Sequence, residues 1–186
     1  MNRLKNCRVY LSSGMDRVPD GGVGWREVVT PLLQKLGMVV LNPCDKPIIG
    51  SIESPESRQV RIEAKKRGDY EFVAKEMSNI AHADLRMVDI CDCVLLYLDT
   101  SVHYCGTYHE TFVAAQQHKP IIVVCKNGVQ DICCWLFGVL NHKLFFNSFD
   151  EMFDYLEHID KDEEIDTLNK WVFIDYNKIF GLGEKV

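Results

Sequence analysis

Short runs of consecutive apolar residues alternate with longer segments in which apolar positions recur every three or four residues. Such alternation predicts parallel strands joined by helices that cover the sheet. Arg8-Val-Tyr-Leu11 is the first predicted strand, Trp25 to Leu36 an amphipathic helix ended by Gly37, and Met38-Val-Val-Leu41 a second strand stopped by Asn42-Pro43. A loop rich in Pro, Gly and Ser covers 45–54, where Ser54-Pro55 offers an N-cap and a first-turn proline to a charged helix reaching about Arg67. Gly68 closes it. A helix from about Tyr70 to Ile80 leads through Asp84-Leu-Arg-Met-Val-Asp89 to the strand Cys93–Leu98. The unbroken hydrophobicity of that strand predicts burial on both faces and a central place in the sheet. Helix Thr107–Gln117, strand Ile121–Val124, helix Asp131–Leu140, strand Leu144–Phe146 and helix Phe149–His158 complete an α/β pattern with a five-stranded parallel sheet.

The 186 residues suit one domain, expected over 1–160, with 161–186 as a C-terminal tail. That tail is acidic and then aromatic (Trp171, Phe173, Tyr176, Phe180), so it is expected to dock on the domain or on a neighbouring subunit. A net charge of −6 with mixed signs offers no basic stripe, which argues against nucleic acid as a partner. The polar start and the absence of any apolar run near ~20 residues argue against a signal peptide and a membrane span, so a cytoplasmic protein is expected. Eight cysteines include no C-x-x-C pair, and Cys7, Cys93 and Cys125 fall in or beside strands as small hydrophobes. Neither a metal nor a cofactor is expected.

Chemistry concentrates where predicted strands end. In parallel α/β sheets ligands bind outside the carboxyl ends of strands, where helix N-termini present free amides. Tyr10-Leu-Ser-Ser-Gly14 lies at the end of the first strand, and Gly106-Thr-Tyr-His-Glu110 places a carboxylate at the start of a helix. Thr107-x-x-Glu110 is also a capping box, in which the glutamate folds back onto the first helical amides. The same box recurs at Ser148-x-x-Glu151, without companion acids, and there the capping role is expected. Asp84 reads either as a site acid or as a first-turn acid on the helix dipole, and Asp92 as a cap of the helix end or strand start. Gly21-Gly-Val-Gly24 fits neither a dinucleotide fingerprint nor a Walker A loop, although its amides and Arg17 are the nearest candidates for a 5′-phosphate.

Taken together, Tyr10-Leu-Ser-Ser-Gly14, Asp84-Leu with Asp92 eight positions on, Gly106-x-x-x-Glu110, Ala114 and Lys119-Pro-Ile-Ile122 resemble the nucleoside 2-deoxyribosyltransferase family. Trp135-Leu-Phe-Gly138 and Phe146-Asn-Ser-Phe-Asp-Glu151 are similar to stretches of its phage-type relatives. The resemblance implies a flavodoxin-like three-layer sandwich, a covalent retaining mechanism at the anomeric carbon, and sites completed by another subunit, hence a homo-oligomer. It assigns Glu110 as nucleophile, Asp84 as proton donor to the departing base and Tyr10 as the group orienting Glu110. Ser12, Ser13, Gly14, Gly106, Tyr104 and Asp92 are the expected substrate contacts. Family members often carry an acid six positions before the nucleophile; here Tyr104 stands there, and with His103 or Tyr108 it is expected to stack on a base.

Breaking an N-glycosidic bond passes through an oxocarbenium-like transition state, which calls for a carboxylate beneath the anomeric carbon and an acid beside the base. The resemblance implies a 2′-deoxyribonucleoside as the small-molecule substrate, cleaved through a covalent glycosyl-enzyme intermediate with transfer to another nucleobase or to water. A nucleoside 5′-monophosphate N-glycosidase and a non-catalytic nucleotide-binding module are the alternatives.

Overall fold

The computed structural model describes residues 2–49, 55–161, 167–179 and 181. In chain order its elements are β1 (Arg8–Ser12), α1 (Val23–Lys35), β2 (Val39–Leu41), α2 (Pro55–Arg67), α3 (Tyr70–Ile90) and β3 (Cys93–Leu98). They continue with α4 (Gly106–Gln116), β4 (Ile121–Cys125), α5 (Cys134–Val139), β5 (Phe145–Phe146), α6 (Phe149–Lys161) and α7 (Tyr176–Ile179). The expected cap at Ser54 lies outside the described residues.

All strand pairs are parallel and the order is β2-β1-β3-β4-β5, which makes Cys93–Leu98 the central strand, as its continuous hydrophobicity predicts. Strand alternation divides the core in two. Tyr10, Val94, Leu96, Leu98, Ile121 and Val123 face α3, α4 and α5, packing with Met87, Val88, Ala114 and Leu136. Val9, Leu11, Cys93, Leu95, Ile122 and Val124 face the other way, onto Val29 and Leu33 of α1 and Met152, Leu156 and Ile159 of α6. The result is a three-layer α/β sandwich. The chain leaves β1 toward one edge and builds outward from β3 toward the other, so the topological switch point, where ligands bind in such sheets, falls between the carboxyl ends of β1 and β3.

Two elements depart from the sequence pattern. The helix expected to stop near Ile80 runs unbroken to Ile90, because Asp84, Met87 and Val88 form a buried stripe at helical spacing. The helix expected over Asp131–Leu140 is a 3-10 turn at Val129–Asp131 and a short α5, separated by extended backbone at Ile132 and Cys133. Within the tail, Trp171 is buried in the α1/α6 core and donates Nε1–H to the Tyr155 hydroxyl at 2.8 Å, so its aromatic surface packs on its own domain. No helix among the described residues is long and apolar enough to cross a membrane.

Candidate active site

Glu110 sits just beyond the first turn of α4, on the side of the helix shared with the buried Thr107, Thr111 and Ala114. Its carboxylate does not return to the amides at the helix start. It crosses to the end of β1, where Oε2 accepts a 2.6 Å hydrogen bond from Ser12 Oγ, and no side chain caps the helix. The second box behaves in the opposite way: the Glu151 amide donates to Ser148 Oγ at 3.2 Å, and Glu151 Oε2 accepts from the Asn147 amide at 2.9 Å. One motif therefore serves two purposes, and the structure separates them.

Tyr10 lies beside this carboxylate, fully buried, and its hydroxyl is near enough to Glu110 to act on it as a donor without a hydrogen bond of full geometry. Burial first, and then the charges of Glu110 and Asp84, push its phenol well above the ordinary value, so it stays an O–H donor. Burial likewise pushes the Glu110 carboxyl up; the Ser12 hydrogen bond opposes this and Asp84 reinforces it. Asp84 reaches the same region because α3 runs back along the sheet. Six residues before the helix end is ~9 Å of rise, away from the amino end of β3. Asp84 is thus a mid-helix residue and not a first-turn acid, and it is paired with the Lys46 ammonium.

Two cations balance the two acids, and neither stands out in the sequence as a site residue. Arg26 is 1% exposed and holds the loop after β1: Nη1 donates to Gly22 O at 2.6 Å, and Nη2 to Leu11 O at 3.0 Å and Ser13 O at 3.4 Å. Burial pulls its guanidinium down, while Cys44, Tyr10, Glu110 and Asp84 hold it up. Its signal was an arginine in register with Val29 and Leu33 on the buried face of α1. Lys46 lies in the loop after β2 and carries no comparable signal.

The expected substrate contacts divide. Ser12, Ser13 and Gly14 continue from β1 beside Glu110, and a Cβ placed on Gly106 would lie 4.0 Å from Glu110 Oε1. Tyr104 is not an open stacking platform: it is 6% exposed, its ring covers Gly14, and its hydroxyl accepts from the Asp99 amide at 2.9 Å. Asp92 is not in the site at all. It precedes β3 at the amino end of the sheet, where Oδ2 accepts from the Arg8 amide, Arg8 Nε and the Tyr176 hydroxyl, and Oδ1 from Arg8 Nη2. The glycine-rich stretch is also occupied, since the Asp20 carboxylate accepts from the Gly22 and Gly24 amides at 2.9 and 2.8 Å.

The contact between Gly14 and Tyr104 yields a direct prediction. A Cβ at position 14 would stand 2.2 Å from Tyr104 Cε1, and the ring is pinned by its hydroxyl. Gly14→Ala is expected to cost about 1–3 kcal/mol in urea unfolding and to lower any activity that needs Ser12 in place. Unchanged stability would show that the loop absorbs a methyl group.

No protein-family model matches the chain, and no curated protein sequence matches it. Solved structures do. A 2-deoxyribosyltransferase from Leishmania mexicana aligns with a TM-score of 0.51 at 21% identity, covering 82% of this chain and 98% of its own. The 2-deoxyribosyltransferase of Bacillus psychrosaccharolyticus aligns at 0.52 with 17% identity, covering 90% of this chain and 98% of its own. A CMP N-glycosidase from Clostridium botulinum aligns at 0.45 with 17% identity, covering 81% and 98%, and adds nothing to the fold assignment. The chain shares the α/β fold of the two deoxyribosyltransferases.

Proposed function

We propose that this protein cleaves the N-glycosidic bond of a 2′-deoxyribonucleoside through a glycosyl ester on Glu110, with transfer to another nucleobase or to water. The observation that carries the reading is the Glu110 carboxylate held on Ser12 Oγ, beside the buried Tyr10 hydroxyl and away from its own helix amides. One carboxylate oxygen is bound by Ser12, which leaves the other to attack the anomeric carbon. Tyr10 and Ser12 present donors that stabilise Glu110 as a carboxylate and as a leaving group when the ester is resolved. The Asp84–Lys46 pair supplies the polar side of the site, where the base departs. The fold shared with two deoxyribosyltransferases supports the same reading.

The test is incubation of the pure protein with 2′-deoxynucleosides, their 5′-monophosphates and a second base, followed by chromatography for free or exchanged base. Neither product from any substrate would leave a nucleotide-binding module. A second reading, in which the 5′-monophosphate is the substrate, draws on a cavity of about 630 Å³ beside the loop after β1, lined by Arg17 and Arg58. Base release from the monophosphate alone decides for it.

The nucleophile must be ionised, and burial raises its pKa, so base release is expected to fall with decreasing pH above the ordinary glutamate value of about 4.3. Ser12→Ala removes a donor to the charged form. It should lower kcat/KM roughly 10- to 100-fold and move the acid limb to higher pH. An acid limb that stays in place would detach Ser12 from the nucleophile.

The proposal includes a homo-oligomer. Among the described residues α5 offers one exposed apolar patch, where Trp135 is 71% exposed and Phe137 and Val139 are exposed near it in sequence. A single-chain mass by light scattering would remove this part.

A further inference from the structure

The site holds a buried charge to which the sequence assigned no role. Lys46 extends from the loop after β2 with its side chain 3% exposed, and its ammonium donates to Asp84 Oδ1, whose side chain is 13% exposed. A carboxylate that accepts from a buried ammonium is stabilised in its charged form, and a charged carboxylate only accepts hydrogen bonds. The proton of this pair is therefore on the lysine. Asp84 interacts electrostatically with both Glu110 and Tyr10, and the ion pair carries Lys46 to the same cluster of charged groups.

Resting on the glycosidic reading above, we propose that Lys46, rather than Asp84, delivers the proton to the departing nucleobase, and that Asp84 stays ionised to position it. As the C1′–N bond breaks, its electron pair remains with the base, and Glu110 forms the C1′–O bond. The Lys46 proton passes to a ring nitrogen or exocyclic oxygen of the base and leaves a neutral amine. In the second half, water or an incoming base attacks C1′, the C1′–O bond breaks to regenerate the Glu110 carboxylate, and the proton displaced from the nucleophile returns to Lys46. The departing base must accordingly present an acceptor to Lys46, a group with three donors and no acceptor.

The test compares two leaving groups in the full chain: the base of a 2′-deoxynucleoside, which needs a proton, and 4-nitrophenolate from 4-nitrophenyl 2-deoxyriboside, which leaves without one. Lys46→Met is expected to lower base release about 100-fold more than nitrophenolate release, within the usual span of general acid catalysis. Lys46→Arg keeps the ion pair, so it serves if the methionine variant fails to fold. Arginine holds its proton far more tightly, so the ratio should shift in the same direction. Asp84→Asn retains the proton on Lys46 and loses only its anchor, so it should lower base release less than Lys46→Met. Base release within about threefold of wild type in Lys46→Met, an equal loss of both leaving groups, or a greater loss in Asp84→Asn overturns the assignment. Glu110→Gln, by contrast, must lose both leaving groups; if it keeps them, the glycosidic reading fails on its own account.

Discussion

Glu110→Gln is expected to lower base release by roughly 10³-fold or more, because the amide cannot form the glycosyl ester that divides the reaction into two accessible steps. The variant should fold normally. Its amide oxygen still accepts from Ser12 Oγ, and the helix start does not depend on this side chain as a cap. Burial raises the pKa of Glu110, so the folded state bears the cost of an ionised buried carboxylate at neutral pH. The unfolded chain ionises near the ordinary value of about 4.3, and wild-type stability declines as pH rises from there through the raised folded value. Glu110→Gln lacks that decline. Its melting temperature should equal or exceed that of the wild type at pH 7, and the advantage should vanish toward pH 4. Near-normal turnover, measured by base release, would remove Glu110 as nucleophile; a lower melting temperature at pH 7 would make it a structural residue.

That pairing of lost activity with retained stability reflects how the site is built. Two carboxylates and two cations, Glu110 with Arg26 and Asp84 with Lys46, are gathered around the buried Tyr10 hydroxyl, which makes no hydrogen bond of full geometry. A buried donor without a full hydrogen bond costs up to about 1–3 kcal/mol, and a ligand hydroxyl or the ester oxygen is the kind of group that would relieve it.

Strand positions were legible because a parallel sheet buried on both faces requires continuous apolar runs, and those runs are short and cleanly bounded in this chain. Glu110 was legible through its place at the start of a helix following the central strand. What decides between cap and catalyst is the direction of one side chain, and Ser12 Oγ, 98 positions away, sets it. The full length of α3 was hidden because Asp84-Leu-Arg-Met-Val-Asp89 presents charges at both ends, although Met87 and Val88 continue the buried stripe. Lys46 escaped notice because loop residues have no periodicity to mark a buried face. Asp92 shows the opposite failure, in which spacing to Glu110 suggested a shared site. Its place immediately before β3 puts it at the wrong end of the sheet for a ligand.

Asp92→Ala is therefore expected to act on stability and to spare catalysis. The carboxylate joins three parts of the chain: β1 through the Arg8 amide and guanidinium, β3 through its own position, and the tail through Tyr176, whose ring also lies 5.3 Å from the Arg8 guanidinium carbon. Alanine would leave a partly buried guanidinium, a strand amide and a phenol without their acceptor. Removing one partner of a buried pair costs 3–5 kcal/mol, and because the Arg8 side chain is 33% exposed the expected loss here is about 2–3 kcal/mol. For a chain of this size that corresponds to roughly 5–10 °C in melting temperature. Burial pushes the Asp92 carboxyl up, but the hydrogen bonds from Arg8 and Tyr176 outweigh it and hold the pKa below the ordinary carboxylate range. The contribution is then fully present above the unfolded value near 3.9 and is lost as pH falls through the lower folded one. The gap between wild type and Asp92→Ala should be widest at pH 5–7 and should narrow below about pH 4. Base release at temperatures where both proteins are folded should differ by less than about threefold. A collapse of turnover in a folded Asp92→Ala protein would return this residue to the site and would require a second route from the amino end of the sheet to Glu110.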